Sequence, residues 1–127
     1  MKPTRLFAAQ FSFYPRAHAD RRNLVIHALT EPLFVAGVGM VASAAWVGGW
    51  RAVVAGFVAM IVAMAAQGRG HRLEQQPPLP FRGPLDVVAR IFAEQLVTFP
   101  RFVLSGGFAR AWRGAGAPDG RRVHPAA

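Results

Sequence analysis

Residues 33–66 read LFVAGVGMVASAAWVGGW, then Arg51, then AVVAGFVAMIVAMAA, and across them Arg51 is the one charge and Ser43 the one other polar side chain. As an α-helix the first block of eighteen residues would reach about 27 Å, close to the hydrocarbon thickness of a bilayer. The second block, of fifteen, reaches about 22 Å and makes a span when Gln67 and Gly68 continue it or the bilayer thins locally. Gly48, Gly49, Trp50 and Arg51 supply a turn between the blocks, and Trp46 and Trp50 suit the interfacial belt of a membrane. The pattern predicts a two-span helical hairpin over about 33–50 and 52–68. The competing reading is a buried helical hairpin in a small soluble α-domain; the length of the apolar run favours the membrane.

The surrounding composition agrees. The chain has 127 residues, 53% of them hydrophobic, enough for one domain but unusually apolar for a small soluble one. Its net charge of +9 comes from fourteen arginines and one lysine against six carboxylates. Nucleic-acid binding does not follow, because the basic residues form no long run and no strand platform interleaves them with aromatics. They fall instead where the positive-inside rule wants them. Two spans put both termini on one side, and Lys2, Arg5, Arg16, Arg21, Arg22, Arg69, Arg72 and Arg82 make that side cytoplasmic, with Arg51 alone in the far loop. The expected location is the inner (cytoplasmic) membrane. The opening LFAAQFSF is short, interrupted by Gln10 and without a clear cleavage site, so no signal peptide is read there.

Outward from the hairpin, residues 1–17 form an amphipathic lead-in ending near Tyr14-Pro15. Asp20 is the N-cap of a helix through Arg21, Asn23 and His27 to about Thr30, and Glu31-Pro32 is expected to break or kink the chain before the first apolar helix. QQPPLPFRGP ends helical structure after the second. Leu85 to Leu104 has Val88, Ile91, Phe92, Leu96 and Phe99 at helical spacing with Asp86, Arg90 and Glu94 elsewhere, an amphipathic helix kinked or restarted at Pro100. The expectation is therefore an all-α, small integral membrane helical bundle. One membrane-embedded domain covers residues 1–104, and a basic, weakly ordered tail covers 105–127. No feature specifies an oligomeric state.

Without cysteine, any metal must use imidazole, carboxylate, amide or water. Asn23 and His27 lie four apart on one helix face; His18 falls on the opposite face unless the chain breaks near Asp20. Gln67, His71 and Glu74, spaced by four and three, make a second polar stripe where the apolar helix ends. A hairpin returns the second stripe to the first, so three imidazoles and a carboxylate converge. Such donors suit Fe(II), Zn(II) or Mn(II), with Asn23 and Gln67 orienting the ligands. Taken singly, each histidine is an ordinary hydrogen-bonded anchor, Glu74 a surface partner of Arg69 or Arg72, and Glu31 structural; His124 belongs to the tail. Two other functions fit the same residues: a non-enzymatic membrane module binding anionic lipid or a partner protein, and a haem-binding hairpin with axial histidines.

The strings YPRAHADRRNLVIH (14–27) and GHRLEQQPPLPF (70–81) carry a resemblance. A tyrosine stands four before a histidine, an asparagine follows five later and a second histidine four after that. The companion string is a Gly-His pair, a nearby glutamate and a proline four beyond it. Together they resemble the 2-hydroxy-fatty-acid dioxygenase family, proteins of phytosphingosine metabolism to odd-numbered fatty acids, over about residues 11–104. The resemblance implies Fe(II)-dependent α-oxidation, in which dioxygen removes one carbon from a 2-hydroxy fatty acid. It implies His18, His27 and His71 as metal ligands with Asn23, Glu74 and Pro78 as their companions. Only Arg72 and Leu73 separate His71 from Glu74, one residue fewer than the family's form, and Glu31-Pro32 stands where that form has a glycine followed by a small residue or proline. Such a substrate is drawn from membrane lipid, and its carboxylate would be neutralised by Arg22, Arg69, Arg72 or Arg82.

Overall fold

The computed structural model describes residues 3–115, all of whose regular structure is helical. The stretch 116–127, including His124, and Lys2 lie outside the described residues. Helix α1 (Pro3–Phe13) runs into one tight turn of 3₁₀ helix at Tyr14–Arg16. Then come α2 (Arg21–Val47) and α3 (Trp50–His71), the two arms of the hairpin, followed by α4 (Pro84–Ala93), α5 (Phe99–Leu104) and α6 (Gly107–Gly114). Between α4 and α5 the chain stays helical but widens into a π-helical turn over Glu94–Thr98.

Asp20 caps α2 as its side chain accepts the Arg22 backbone N–H at 2.8 Å. Residues 17–20, before it, are not helical, which is the chain break His18 requires. Of the break or kink expected at Glu31-Pro32, the break does not occur: α2 is continuous through Pro32. The physical reason is packing on both sides of the proline. Asn23, Leu24 and His27 below it and Phe34 and Gly37 above it form one buried stripe that exists only if the helix keeps its phase. That burial offsets the roughly 3 kcal/mol a mid-helix proline costs.

The turn is made by Gly48 and Gly49 at φ 71° and 135°, values that side chains rarely adopt. Descending from it, α2 and α3 touch backbone to backbone where Gly37 faces Gly56. A Cβ on either glycine would stand 2.6 Å from the carbonyl oxygen of the other. The opposite surface of α3 is left bare, with Val54, Phe57, Val58, Ile61 and Val62 all exposed. Both arms are long and apolar enough to cross a membrane, and only 22% and 17% of their apolar windows is buried within the chain. Most of the apolar surface of the hairpin is thus left uncovered by the rest of the described chain.

The core lies at the open end of the hairpin, where Tyr14, Leu24, Phe99 and Phe102 pack together with Phe11, Phe108 and Ala111 against them. In place of the weakly ordered tail expected from residue 105 onward, Gly107–Gly114 is helical and docks on α2. Arg21 Nε donates to the Trp112 carbonyl at 2.9 Å, and its guanidinium lies over the Trp112 ring. Phe108 and Trp112 explain the helix: four apart, they give this basic segment one apolar face.

The glycine crossing is testable. Gly56→Val, by forcing the arms apart, is expected to cost about 1–3 kcal/mol of thermal stability in detergent. Gly39→Ala, where an added Cβ meets nothing within 4 Å, should show no loss.

Candidate metal centre

Four side chains from four segments meet at the open end of the hairpin. One donor atom each from His18, His27, His71 and Glu94 lies within 4.8 Å of all the others. His18 comes from the loop before α2, His27 from the second turn of α2, His71 from the last residue of α3, and Glu94 from the start of the π-helical turn. His18 Nε2 and His27 Nε2 are 3.2 Å apart, and Glu94 Oε1 stands 3.6 and 3.7 Å from them.

The protonation pattern follows from the outer partners. His18 Nδ1 faces the Tyr14 carbonyl at 3.1 Å, and His27 Nδ1 faces the Asn23 carbonyl at 3.0 Å. A carbonyl only accepts, so each Nδ1 carries a hydrogen, and a neutral ring so placed has its lone pair at Nε2, facing inward. Burial, followed by the nearby His27 and His71, holds His18 well below the usual histidine range and keeps it neutral. His71 Nδ1 is also buried and has no hydrogen-bond partner. Three imidazoles and a carboxylate thus converge, His18 and His27 buried and His71 and Glu94 partly exposed.

Tyr14 orders two of these groups at once. Its ring stacks on His18, centroids 3.8 Å apart and planes 14° from parallel, while its hydroxyl donates to Glu94 Oε1 at 3.2 Å. Burial, then the charge of Glu94, pushes the phenol well above its usual range, so it remains the donor. The π-helical turn positions Glu94. Pro100 offers no N–H to the preceding turn, and Phe99 N–H reaches the Glu94 carbonyl five residues back. The extra residue lets Gln95, Thr98 and Phe99 all point inward.

Glu74 does not join the four. Its carboxylate accepts from the backbone N–H groups of Ala19 and Asp20 at 3.1 Å and from Asn23 Nδ2 at 2.7 Å. It is an anion fastened to the N-terminus of α2, tying the end of α3 to the His18 loop. Asn23 Nδ2 also donates to the Ala17 carbonyl at 3.2 Å, so Asn23 shapes that loop without touching the donor atoms. Gly70 permits the close approach, since a Cβ there would overlap Asn23 Oδ1. Gln67, one turn below His71, exchanges two hydrogen bonds with Gln95, at 3.1 and 2.6 Å, and donates to Thr30. This buried amide pair locks α3 to the π-helical turn.

Sequence reasoning missed Glu94, assigning it to the polar face of its helix. One signal was present: Gln95 and Thr98 interrupt the apolar stripe from Ile91 to Phe102 just before Pro100, marking a turn whose inward face is polar.

A helical bundle with three imidazoles and one carboxylate gathered at a largely buried point is a candidate metalloprotein. A protein-family model described as 2-hydroxy-palmitic acid dioxygenase Mpo1-like matches residues 4–100, and the chain belongs to that family. No curated protein and no solved structure matches it.

Two substitutions separate the supports. Glu74→Ala leaves two backbone N–H groups and Asn23 without their anion and should lower stability by about 2–4 kcal/mol, read by thermal unfolding of metal-free protein. Tyr14→Phe keeps the stacked ring and loses one hydrogen bond, and is expected to cost about 1 kcal/mol in the same measurement.

Proposed function

We propose that this protein is an Fe(II)-dependent dioxygenase of 2-hydroxy fatty acids, embedded in the inner membrane with both termini cytoplasmic, that shortens its substrate by one carbon. The observation that carries the reading is the inward-facing lone pairs of His18 and His27, 3.2 Å apart beside Glu94. Lone pairs packed together in a largely buried site repel unless a proton or a metal cation lies among them. Separations of 3.2 to 3.7 Å are what donors sharing one centre at about 2.0–2.2 Å adopt. The outer partners agree, because a ligating imidazole typically gives its other N–H to a backbone carbonyl.

His18, His27 and His71 with Glu94 would hold the metal, and nitrogen and oxygen donors of this kind suit Fe(II). When bound, iron supplies the one-electron chemistry that lets dioxygen react with a closed-shell organic acid. The chain's own residues do the rest. The Tyr14 and Asn23 carbonyls fix two imidazoles in one tautomer, the Tyr14 hydroxyl aims Glu94, and Glu74 with Asn23 holds the His18 loop closed. The net conversion balances as 2-hydroxy acid plus dioxygen giving the acid one carbon shorter, carbon dioxide and water. A haem reading suits this arrangement less well, since two Nε2 atoms 3.2 Å apart leave no gap for a macrocycle between them.

The membrane part of the reading rests on the bare apolar surface of the hairpin and on charge. Arg16, Arg21, Arg22, Arg69 and Arg72 gather at the metal end, whereas Arg51 stands at the tip with the exposed Trp46 and Trp50. The site then lies at the cytoplasmic interface, where a fatty acid presents its head group.

Protein loaded anaerobically with iron should bind one Fe(II) per chain, and His27→Ala should lose it. With 2-hydroxyhexadecanoic acid the loaded protein should consume dioxygen and release pentadecanoic acid. Full iron in His27→Ala would overturn the site. Stoichiometric iron without turnover would overturn the reaction, and salt-sensitive binding to anionic vesicles with no iron would favour the lipid-binding module.

A further inference from the structure

A cleft of about 560 Å³ opens between α3 and α4 directly beside His71 and Glu94. Its α3 wall includes the stripe Met64, Gly68 and the helix-capping Arg72, at i, i+4 and i+8, and the facing wall includes Ile91 of α4 and Glu94 of the π-helical turn. The volume lies within the roughly 300–1,000 Å³ of small-molecule sites. Along the stripe the chemistry changes in order: an apolar thioether, then no side chain, then a cation.

Gly68 is the informative member. Gly37, Gly56 and Gly70 each meet a close neighbour that excludes a Cβ, whereas nothing lies within 4 Å of a Cβ placed on Gly68, and its backbone is ordinary helix. Neither packing nor conformation calls for glycine there. The space above it is the cleft. Arg72, one turn further on, makes no ion pair or side-chain hydrogen bond among the described residues. The other cation at the cleft, Arg90, is engaged: it donates to the Pro80 and Leu79 carbonyls at 3.0 and 2.8 Å and lies over the Phe81 ring, strapping the proline loop to α4.

We propose that this cleft is the acyl-chain site and that Arg72 and Gly68 set how the substrate lies in it. This rests on the reading of the protein as a 2-hydroxy fatty acid dioxygenase. Arg72 takes the carboxylate, which brings the 2-hydroxyl toward His71 and Glu94. The chain passes over Gly68 and runs between Met64 and Ile91 toward the bare apolar face of the hairpin. The polarity of the stripe matches the polarity of the ligand: charge where the helix ends, grease where it enters the membrane. A bulky side chain at 68 closes the path to long chains, and a neutral one at 72 weakens every chain length alike.

Two measurements test this. In the first, 2-hydroxyhexadecanoic acid carrying a diazirine in mid-chain is photolysed with the full chain in nanodiscs, with and without iron, and the adducts are mapped by mass spectrometry. Labelling of Met64 or Ile91 is expected, and Gly68→Phe should abolish it. Labelling confined to other residues overturns the proposal. In the second, KM is compared for 2-hydroxyoctanoic and 2-hydroxyhexadecanoic acids. Gly68→Phe should raise KM for the longer acid by about tenfold and spare the shorter, Arg72→Gln should raise both by about tenfold, and Arg51→Gln, at the far tip of the hairpin, should change neither. Equal effects of Gly68→Phe on both acids, or none of Arg72→Gln, overturn it. The labelling needs neither iron nor turnover, so adducts at Met64 or Ile91 without oxidation would sink the dioxygenase reading and keep the cleft, whereas oxidation with adducts elsewhere would do the reverse.

Discussion

The arrangement at the open end of the hairpin is governed by one electrostatic constraint, that bare lone pairs cannot be packed together in a buried place without positive charge among them. His18 Nε2 and His27 Nε2 stand 3.2 Å apart, with Glu94 Oε1, which accepts from the Tyr14 hydroxyl, 3.6 and 3.7 Å from them. With Nδ1 of each imidazole committed to a carbonyl, a neutral ring has its free lone pair at Nε2, facing inward. The rest of the fold serves this convergence. The glycine crossing sets the distance between the arms, Glu74 fastens the end of α3 to the start of α2, and the π-helical turn delivers the carboxylate.

What was legible in the sequence follows from which forces are local. The hairpin was readable because apolar runs near bilayer length carry their own signal, and the polar stripes because helical spacing puts Asn23 with His27 and Gln67 with His71. The position of His18 followed from Asp20, whose capping is an interaction between residues two apart. Pro32 misled because the interruption it favours is local, whereas what overrides it is a stripe from Asn23 to Gly37 packed against partners far along the chain. Glu94 was hidden for a related reason: its direction depends on one extra residue in a helical turn, and a strict 3.6-residue period cannot show that. Gly107–Gly114 was hidden by its arginines, since composition says little about a short helix held by Phe108 and Trp112.

Glu74 shows how a motif residue and a site residue can differ. Its place in the string GHRLEQQPPLPF drew it toward the metal on paper, yet its carboxylate is filled by two backbone N–H groups and Asn23. It acts on the site through the backbone of residues 17–20. Removing it frees the loop that carries His18 without deleting any of the four donor side chains.

The cleft and the donor group share their walls, since His71 ends the α3 side and Glu94 belongs to the α4 side. A cation held by both residues is thus a cross-link between the two walls. By reciprocity, any ligand that binds better with the walls drawn together raises the affinity for metal by the same factor that metal raises the affinity for it. Under the proposed reading, metal occupancy and acyl-chain occupancy form a single coupled equilibrium.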